Sequence, residues 1–157
     1  MPSVRIPFMV SGLAELGDRL VVLFDGQCVL CNRTMRWFLR RDRRDRLRFA
    51  AFEAAGWGQV LARRGISLEN VEAGPSTIFV VRGLGGGSEE ILVRSDAALA
   101  ILRELRRPWP AVAAAVRLIP RPIRDLVYRV VARLRNRIWG RLKICPLPTA
   151  EERDRFL

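Results

Sequence analysis

Leu20-Val-Val-Leu-Phe-Asp-Gly-Gln-Cys-Val-Leu-Cys31 joins an apolar run, a turn pair and two cysteines within twelve residues. Leu20 to Phe24 form a continuous apolar run that stops at the turn pair Asp25-Gly26, as a strand buried on both faces does. Behind it Cys31, Met35 and Phe38 recur at i, i+4, i+7, with Leu30, Thr34 and Trp37 beside them. Arg33, Arg36, Arg40 and Arg41 are left for the outer side, so the spacing predicts a helix over Cys28–Arg41. Both cysteines then stand at a strand-to-helix junction, in the helix's first turn.

Outward from this unit, the charged run Arg40 to Arg46 reads as a loop, and Leu47, Phe49 and Ala51 alternate with Arg48 and Ala50 as a short strand. Strand, helix, strand in that order needs a right-handed crossover and gives a parallel pair. A helix is expected over Ala54–Arg64, stopped by Gly65. Thr77–Val81 and Glu90–Arg94 read as strands joined by the Gly-rich connection Arg82–Ser88, with Ser95 preceding a helix over Asp96–Leu105. The expected fold is α/β, a thioredoxin-like mixed four-stranded sheet flanked by helices. Pro108-Trp-Pro110 starts a further helix to about Leu118, Pro120-Arg-Pro122 stops it, and Ile123–Asn136 forms another. In that last helix Ile123, Leu126, Val127, Val130, Val131 and Leu134 make one apolar face, with Arg124, Arg129, Arg133 and Arg135 largely off it. The pattern predicts a helical hairpin packed on the sheet through this face. Residues 1–19 read as an N-terminal extension, 20–107 as the core and 108–157 as a basic helical extension.

The chain of 157 residues suits one domain with an elaboration, and 50% apolar against 28% charged residues places it among globular proteins. Its net charge of +12 is unevenly spread. Residues 1–100 carry 14 basic and 11 acidic side chains, whereas 101–157 carry 14 and 5. The C-terminal helices are therefore either a plain solvated basic face or the candidate for an anionic partner, whether phosphates, a membrane surface, nucleic acid or an acidic protein. With no histidine present, a His general base, Cys-His catalysis and His-containing metal sites are excluded. The first twenty residues lack a signal-peptide apolar region, and the longest apolar run, Pro108 to Val116, is about half the ~20 residues of a spanning helix. A cytoplasmic location is expected. Three cysteines there make a structural disulfide framework a poor explanation and redox use a better one.

A cysteine at a helix N-terminus meets unpaired N–H groups and the positive end of the helix dipole, both favouring thiolate. Cys28 is expected to be the exposed nucleophile, and Cys31, one turn on, to resolve a mixed disulfide formed there. Two competing readings are a buried pair of packing thiols and a metal or cluster carrier. The second is short of ligands, since Cys28, Cys31 and Cys145 leave Asp25 as the fourth, and no metal is assigned. Asp25 has two readings: turn residue, or proton acceptor for Cys31 from a partly buried position. Ser95 reads most simply as an N-cap. With Asp96 it also opens a helix that could hold an anion, as the corresponding helix start of glutaredoxin-like sites holds the carboxylate of glutathione.

Asp25-Gly-Gln-Cys28-Val-Leu-Cys31 resembles the DGxCxxC motif of the DCC family of thiol-disulfide oxidoreductases. The resemblance extends to Arg94-Ser-Asp-Ala-Ala-Leu99, Pro120-Arg-Pro-Ile-Arg-Asp125, Arg135-Asn-Arg137, Trp139-Gly140 and Cys145-Pro-Leu-Pro148. It implies a thioredoxin-like fold and thiol-disulfide exchange, with Asp25, Cys28 and Cys31 as motif residues and Cys145 as the family's C-terminal cysteine, a candidate auxiliary thiol. Pro75 stands about one residue early for the cis-proline that faces the cysteines in thioredoxins, and Gln27 replaces their tryptophan. Pro75, Ser95 and Asp96 are the candidate substrate contacts. The expected activity is dithiol-disulfide exchange with a protein or small-thiol substrate, glutathione among the candidates, and with no bound cofactor. A non-catalytic binding module working through the basic helices is the alternative.

Overall fold

The structure, a computed structural model, describes residues 16–51, 56–62, 65–66, 78–84, 89–143 and 148–157. Its elements are β1 (Leu20–Phe24), α1 (Val29–Leu39), β2 (Leu47–Ala51), α2 (Trp57–Ala62), β3 (Phe79–Arg82), β4 (Glu90–Val93), α3 (Arg94–Glu104), α4 (Trp109–Arg117), α5 (Arg121–Trp139) and a 3₁₀ turn over Arg153–Arg155. The four strands form one mixed sheet in the order β2-β1-β3-β4. β1 runs parallel to β2, with Leu20 beside Leu47 and Phe24 beside Ala51, and antiparallel to β3, with Val22 opposite Val80. β3 and β4 are antiparallel, Phe79 facing Val93. This is the α/β, thioredoxin-like arrangement expected of the strand order.

β1 is apolar throughout because both of its faces are covered. Leu20, Val22 and Phe24 join Met35 and Phe38 of α1 and Ala97 and Ile101 of α3 in one core, while Val21 and Leu23 join Trp57, Val60 and Leu61 of α2 in the other. Strand alternation thus divides one apolar run between two layers. α1 starts one residue later than the spacing predicts, since Cys28 has extended backbone and serves as N-cap. The loop after α1 is organised by the buried Asp42, whose carboxylate accepts from the backbone N–H groups of Arg46 and Leu47 and from Arg155. Gly65, the expected stop of α2, has φ +72°, and its N–H donates to Ala62 C=O at 3.0 Å. Residues 54, 55, 63 and 64 of that predicted helix, and Thr77 of the predicted third strand, lie outside the described residues.

Two expectations are corrected. Ser95 is not the N-cap of α3: the helix begins at Arg94 with Val93 as cap residue, and Ser95 lies buried in the first turn. The larger correction concerns α5, which packs through the face opposite to the one its apolar pattern selects. Ala132 and Arg135 are its buried residues, and Arg124, Asp125 and Tyr128 share that side. Ile123, Leu126, Val127, Val130, Val131, Leu134 and Ile138 are between 41% and 62% exposed. Leaving each aliphatic in water forgoes on the order of 1 kcal/mol or more of burial. Specific polar partners hold the inner face instead. Tyr128 Oη accepts from the Ile78 N–H at 2.8 Å, Arg124 meets Asp96 at 3.1 Å, and Asp125 accepts from the hydroxyl and N–H of Ser95.

The chain's end returns to the sheet, where Leu157 N–H donates to Phe49 C=O at 2.8 Å and the Phe156 ring packs on Phe24 and Phe49. Trp109 of α4 meets Trp37 of α1 edge to face, with 4.7 Å between ring centroids. Among the described residues, no helix is long and apolar enough to cross a membrane.

Candidate active site

The strand-to-helix junction is built by its own polar groups. Asp25 Oδ1 accepts from Gln27 N–H at 3.0 Å, the two-residue reach of an Asx turn, and Cys28 N–H donates back to Asp25 C=O at 3.2 Å. Asn32, one turn into α1, clamps the loop from the other side, its Nδ2 donating to Gly26 C=O at 2.7 Å and Cys28 C=O at 3.0 Å. Cys28 Sγ accepts from Cys31 N–H at 3.2 Å and so caps the helix with sulfur. Both cysteines are free thiols.

Exposure is the reverse of the expectation. Cys28 is fully buried and Cys31 partly exposed. The chain beyond α5 lies along Gln27–Cys28: Arg141 forms an antiparallel bridge with Cys28, Leu142 N–H donates to Gln27 C=O at 2.7 Å, and Arg141 Nη2 donates to Gln27 Oε1 at 3.0 Å. Cys31 instead opens on a cavity of about 180 Å³ walled by Phe24, Leu30, Met35, Phe38, Ile78 and Tyr128, with Asp25 and Arg135 at its polar end.

Arg135 is the residue that sequence reasoning assigned to the solvent side of its helix. Its Nη1 donates to Cys31 Sγ at 2.9 Å and its Nη2 to Asp25 Oδ2 at 3.0 Å. The Asp25 and Arg135 side chains are each only 6% exposed. Arg135 Nε is buried with no hydrogen-bond partner among the described residues. Asp25 is therefore a turn residue through one oxygen and the partner of Arg135 through the other.

These contacts split the two thiols. Cys28 is pulled from its ordinary 9.0 down to about 6, foremost by the hydrogen bond from the Cys31 thiol; burial opposes, and the Cys31 N–H and the charge of Arg135 assist. Cys31 is pushed up, first by donating that same hydrogen bond and next by burial, with Arg135 pulling the other way. The two sulfurs therefore titrate as a pair, with Cys28 the one drawn toward thiolate.

Ser95 and Asp96 do not line the cavity beside Cys31. The start of α3 does attract a carboxylate, but it is the chain's own Asp125, while Asp96 pairs with Arg121 and Arg124 at 3.0 and 3.1 Å. Pro75 and Cys145 lie outside the described residues. Asn32 and Arg135 were missed from spacing because each acts on groups far along the chain or on backbone carbonyls. The one signal for Arg135 was its place in the quoted Arg135-Asn-Arg137 motif.

Comparison with known proteins places the chain among relatives of similar length. The chain is 29% identical over 137 residues to YuxK of Bacillus subtilis (strain 168), itself uncharacterized, covering 87% of this chain and 93% of that protein. It is 28% identical over 137 residues to a chloroplastic DCC family protein of Arabidopsis thaliana, covering 87% of this chain and 74% of that one. No solved structure matches it. The family model for DCC1-like thiol-disulfide oxidoreductases matches residues 22–141, from within β1 through α5 and Arg141, and the chain belongs to that family.

Proposed function

We propose that the chain is a dithiol-disulfide oxidoreductase in which Cys28 attacks and Cys31 resolves. The supporting observation is a pair of free thiols at the strand-to-helix junction, Cys28 Sγ accepting from the Cys31 N–H at 3.2 Å and Cys31 Sγ accepting from the buried Arg135 at 2.9 Å, a setting that draws Cys28 down to about 6. At neutral pH a group of that pKa is about tenfold more thiolate than thiol. Once the Arg141–Leu142 segment that buries Cys28 opens, its thiolate attacks one sulfur of a substrate disulfide, forming a mixed disulfide and releasing the other sulfur as thiolate. Cys28 then carries no charge and accepts no hydrogen bond from Cys31, which removes the largest influence that had raised the Cys31 pKa. Arg135 remains, and Cys31 gives its proton to the departing thiolate or to water. The Cys31 thiolate attacks Cys28 Sγ, the Cys28–Cys31 bond forms, and the substrate leaves with both sulfurs reduced. Two electrons have passed to the substrate, and an external dithiol returns the pair to its reduced form.

Asp25 acts in this scheme as a positioning residue that fixes the loop and Arg135. The apolar walls of the cavity beside Cys31 favour a disulfide flanked by an aliphatic or aromatic group, as in a protein substrate. Glutathione is the small thiol against which that preference is measured. A cytoplasmic setting fits, because it keeps such a pair reduced between turnovers.

The test is a titration in dithiothreitol or glutathione redox buffers, counting thiols by mass tagging. Two tags should disappear together at one potential, and either Cys28→Ser or Cys31→Ser should abolish the transition while Cys145→Ser preserves it. Thiols that stay reduced across the whole range would remove the oxidoreductase reading.

A further inference from the structure

We propose that the outward face of α5, with the α4–α5 corner, docks the protein on the surface of an anionic phospholipid bilayer. The face is aliphatic and, among the described residues, uncovered. Ile123, Leu126, Val127, Val130, Val131, Leu134 and Ile138 lie along one side of the helix, each at least 41% exposed, and the stripe continues into the corner, where Leu118 is 86% exposed. Contiguous exposure on this scale marks an interaction surface, not scattered surface residues.

Charge selects the occupant. Between residues 106 and 143 there are eleven basic side chains and one acidic; Asp125 is turned inward to Ser95, Arg124 and Arg135 also face inward and Arg121 pairs with Asp96, which leaves eight basic side chains outside these pairs. Arg129, Arg133 and Arg137, at i, i+4, i+8, form an exposed row beside the stripe. A second copy of the chain would bring the same excess of arginine against itself, whereas anionic headgroups complement it. The aliphatic character argues against nucleic acid, whose partners use polar and aromatic contacts to phosphate and base. A helix with an aliphatic side, an arginine row and an exposed Trp139 near its end has the build of one lying in the bilayer interface, apolar side down. With six arginines in nineteen residues α5 lies on the bilayer and does not cross it.

The inner face of the same helix presents Arg135 to Cys31 and Asp25. Docking would therefore hold the cysteine pair about one helix diameter, ~10 Å, from the plane of the interface. The surface stands whether or not the pair is redox-active.

The full chain is tested by flotation with vesicles of phosphatidylcholine alone and of phosphatidylcholine with 30% phosphatidylglycerol. Binding should be at least tenfold stronger to the anionic vesicles and weaken as salt rises. Val130→Asp/Leu134→Asp should abolish it, and Arg129→Gln/Arg133→Gln/Arg137→Gln should reduce it at least tenfold, with circular dichroism unchanged because all five side chains are exposed. Equal partition to both vesicle types, or no binding to either, would overturn the proposal. So would a dimer seen by light scattering that Val130→Asp dissociates while anionic vesicles remain unbound, since a second copy would then own the face.

Discussion

Arg135 donates to Cys31 Sγ at 2.9 Å across 104 positions of sequence. A guanidinium at that distance favours the thiolate, while the hydrogen bond to Cys28 and burial push the Cys31 thiol up. Removing Cys28 uncovers the influence of Arg135. In Cys28→Ser, the pH profile of Cys31 alkylation should have its inflection at least one unit below that of Cys28→Ser/Arg135→Gln, the usual scale for a charge within about 4–6 Å. Coincident profiles would show that Arg135 does not act on the sulfur.

Arg135 and Asp25 also form a buried pair, and breaking one partner leaves a charge without compensation. Arg135→Met should cost about 3–5 kcal/mol of stability in urea unfolding and Asp25→Asn a comparable amount. The double variant Asp25→Asn/Arg135→Met should lose less than the sum of the two, because neither member is then left alone. Additive losses would mean that the pair is not coupled.

The contrast between β1 and α5 shows which parts of this molecule are legible in its sequence. β1, α1 and the junction between them are readable because periodicity and burial agree there: Val21 to Phe24 are apolar and covered on both sides, and Met35 and Phe38 point where their spacing says. α5 is not, because its inner face is chosen by Tyr128, Arg124, Asp125 and Arg135, polar groups whose partners Ile78, Asp96, Ser95, Asp25 and Cys31 lie at least 28 positions away. Hydropathy ranks those residues as outward, since it cannot see a partner that only the fold supplies. The motif cysteines were found for the same reason that their exposure was misjudged. Local spacing places Cys28 at a helix start, and it carries no information about Arg141 and Leu142, which return to lie along it.

The low pKa of Cys28 rests first on Cys31, so the two sulfurs should be separable by pH. Alkylation of Cys28 by iodoacetamide should be flat above about pH 7 and fall tenfold per unit below the inflection at about 6. Cys31→Ala removes the thiol donor but leaves the helix N-terminus and Arg135, and the inflection should move up by a unit or more while staying below 9.0. An inflection that stayed at about 6 would assign the thiolate to the helix terminus and Arg135, not to the Cys31 thiol.

Leu142 N–H donates to Gln27 C=O at 2.7 Å, fastening the chain beyond α5 along the buried Cys28. A protein disulfide reaching Cys28 needs that segment displaced, whereas a small reagent needs only a transient gap. Leu142→Pro deletes the donor without touching either cysteine, and the loss of one backbone hydrogen bond costs about 1 kcal/mol, enough to raise the open population several-fold. Labelling of Cys28 by a bulky maleimide reagent should accelerate by at least that factor, with iodoacetamide changing less and the pH inflection unmoved. Equal acceleration of both reagents would indicate general loosening of the junction. No change in either would mean that the segment is not the barrier, and that substrates reach the pair from the cavity beside Cys31.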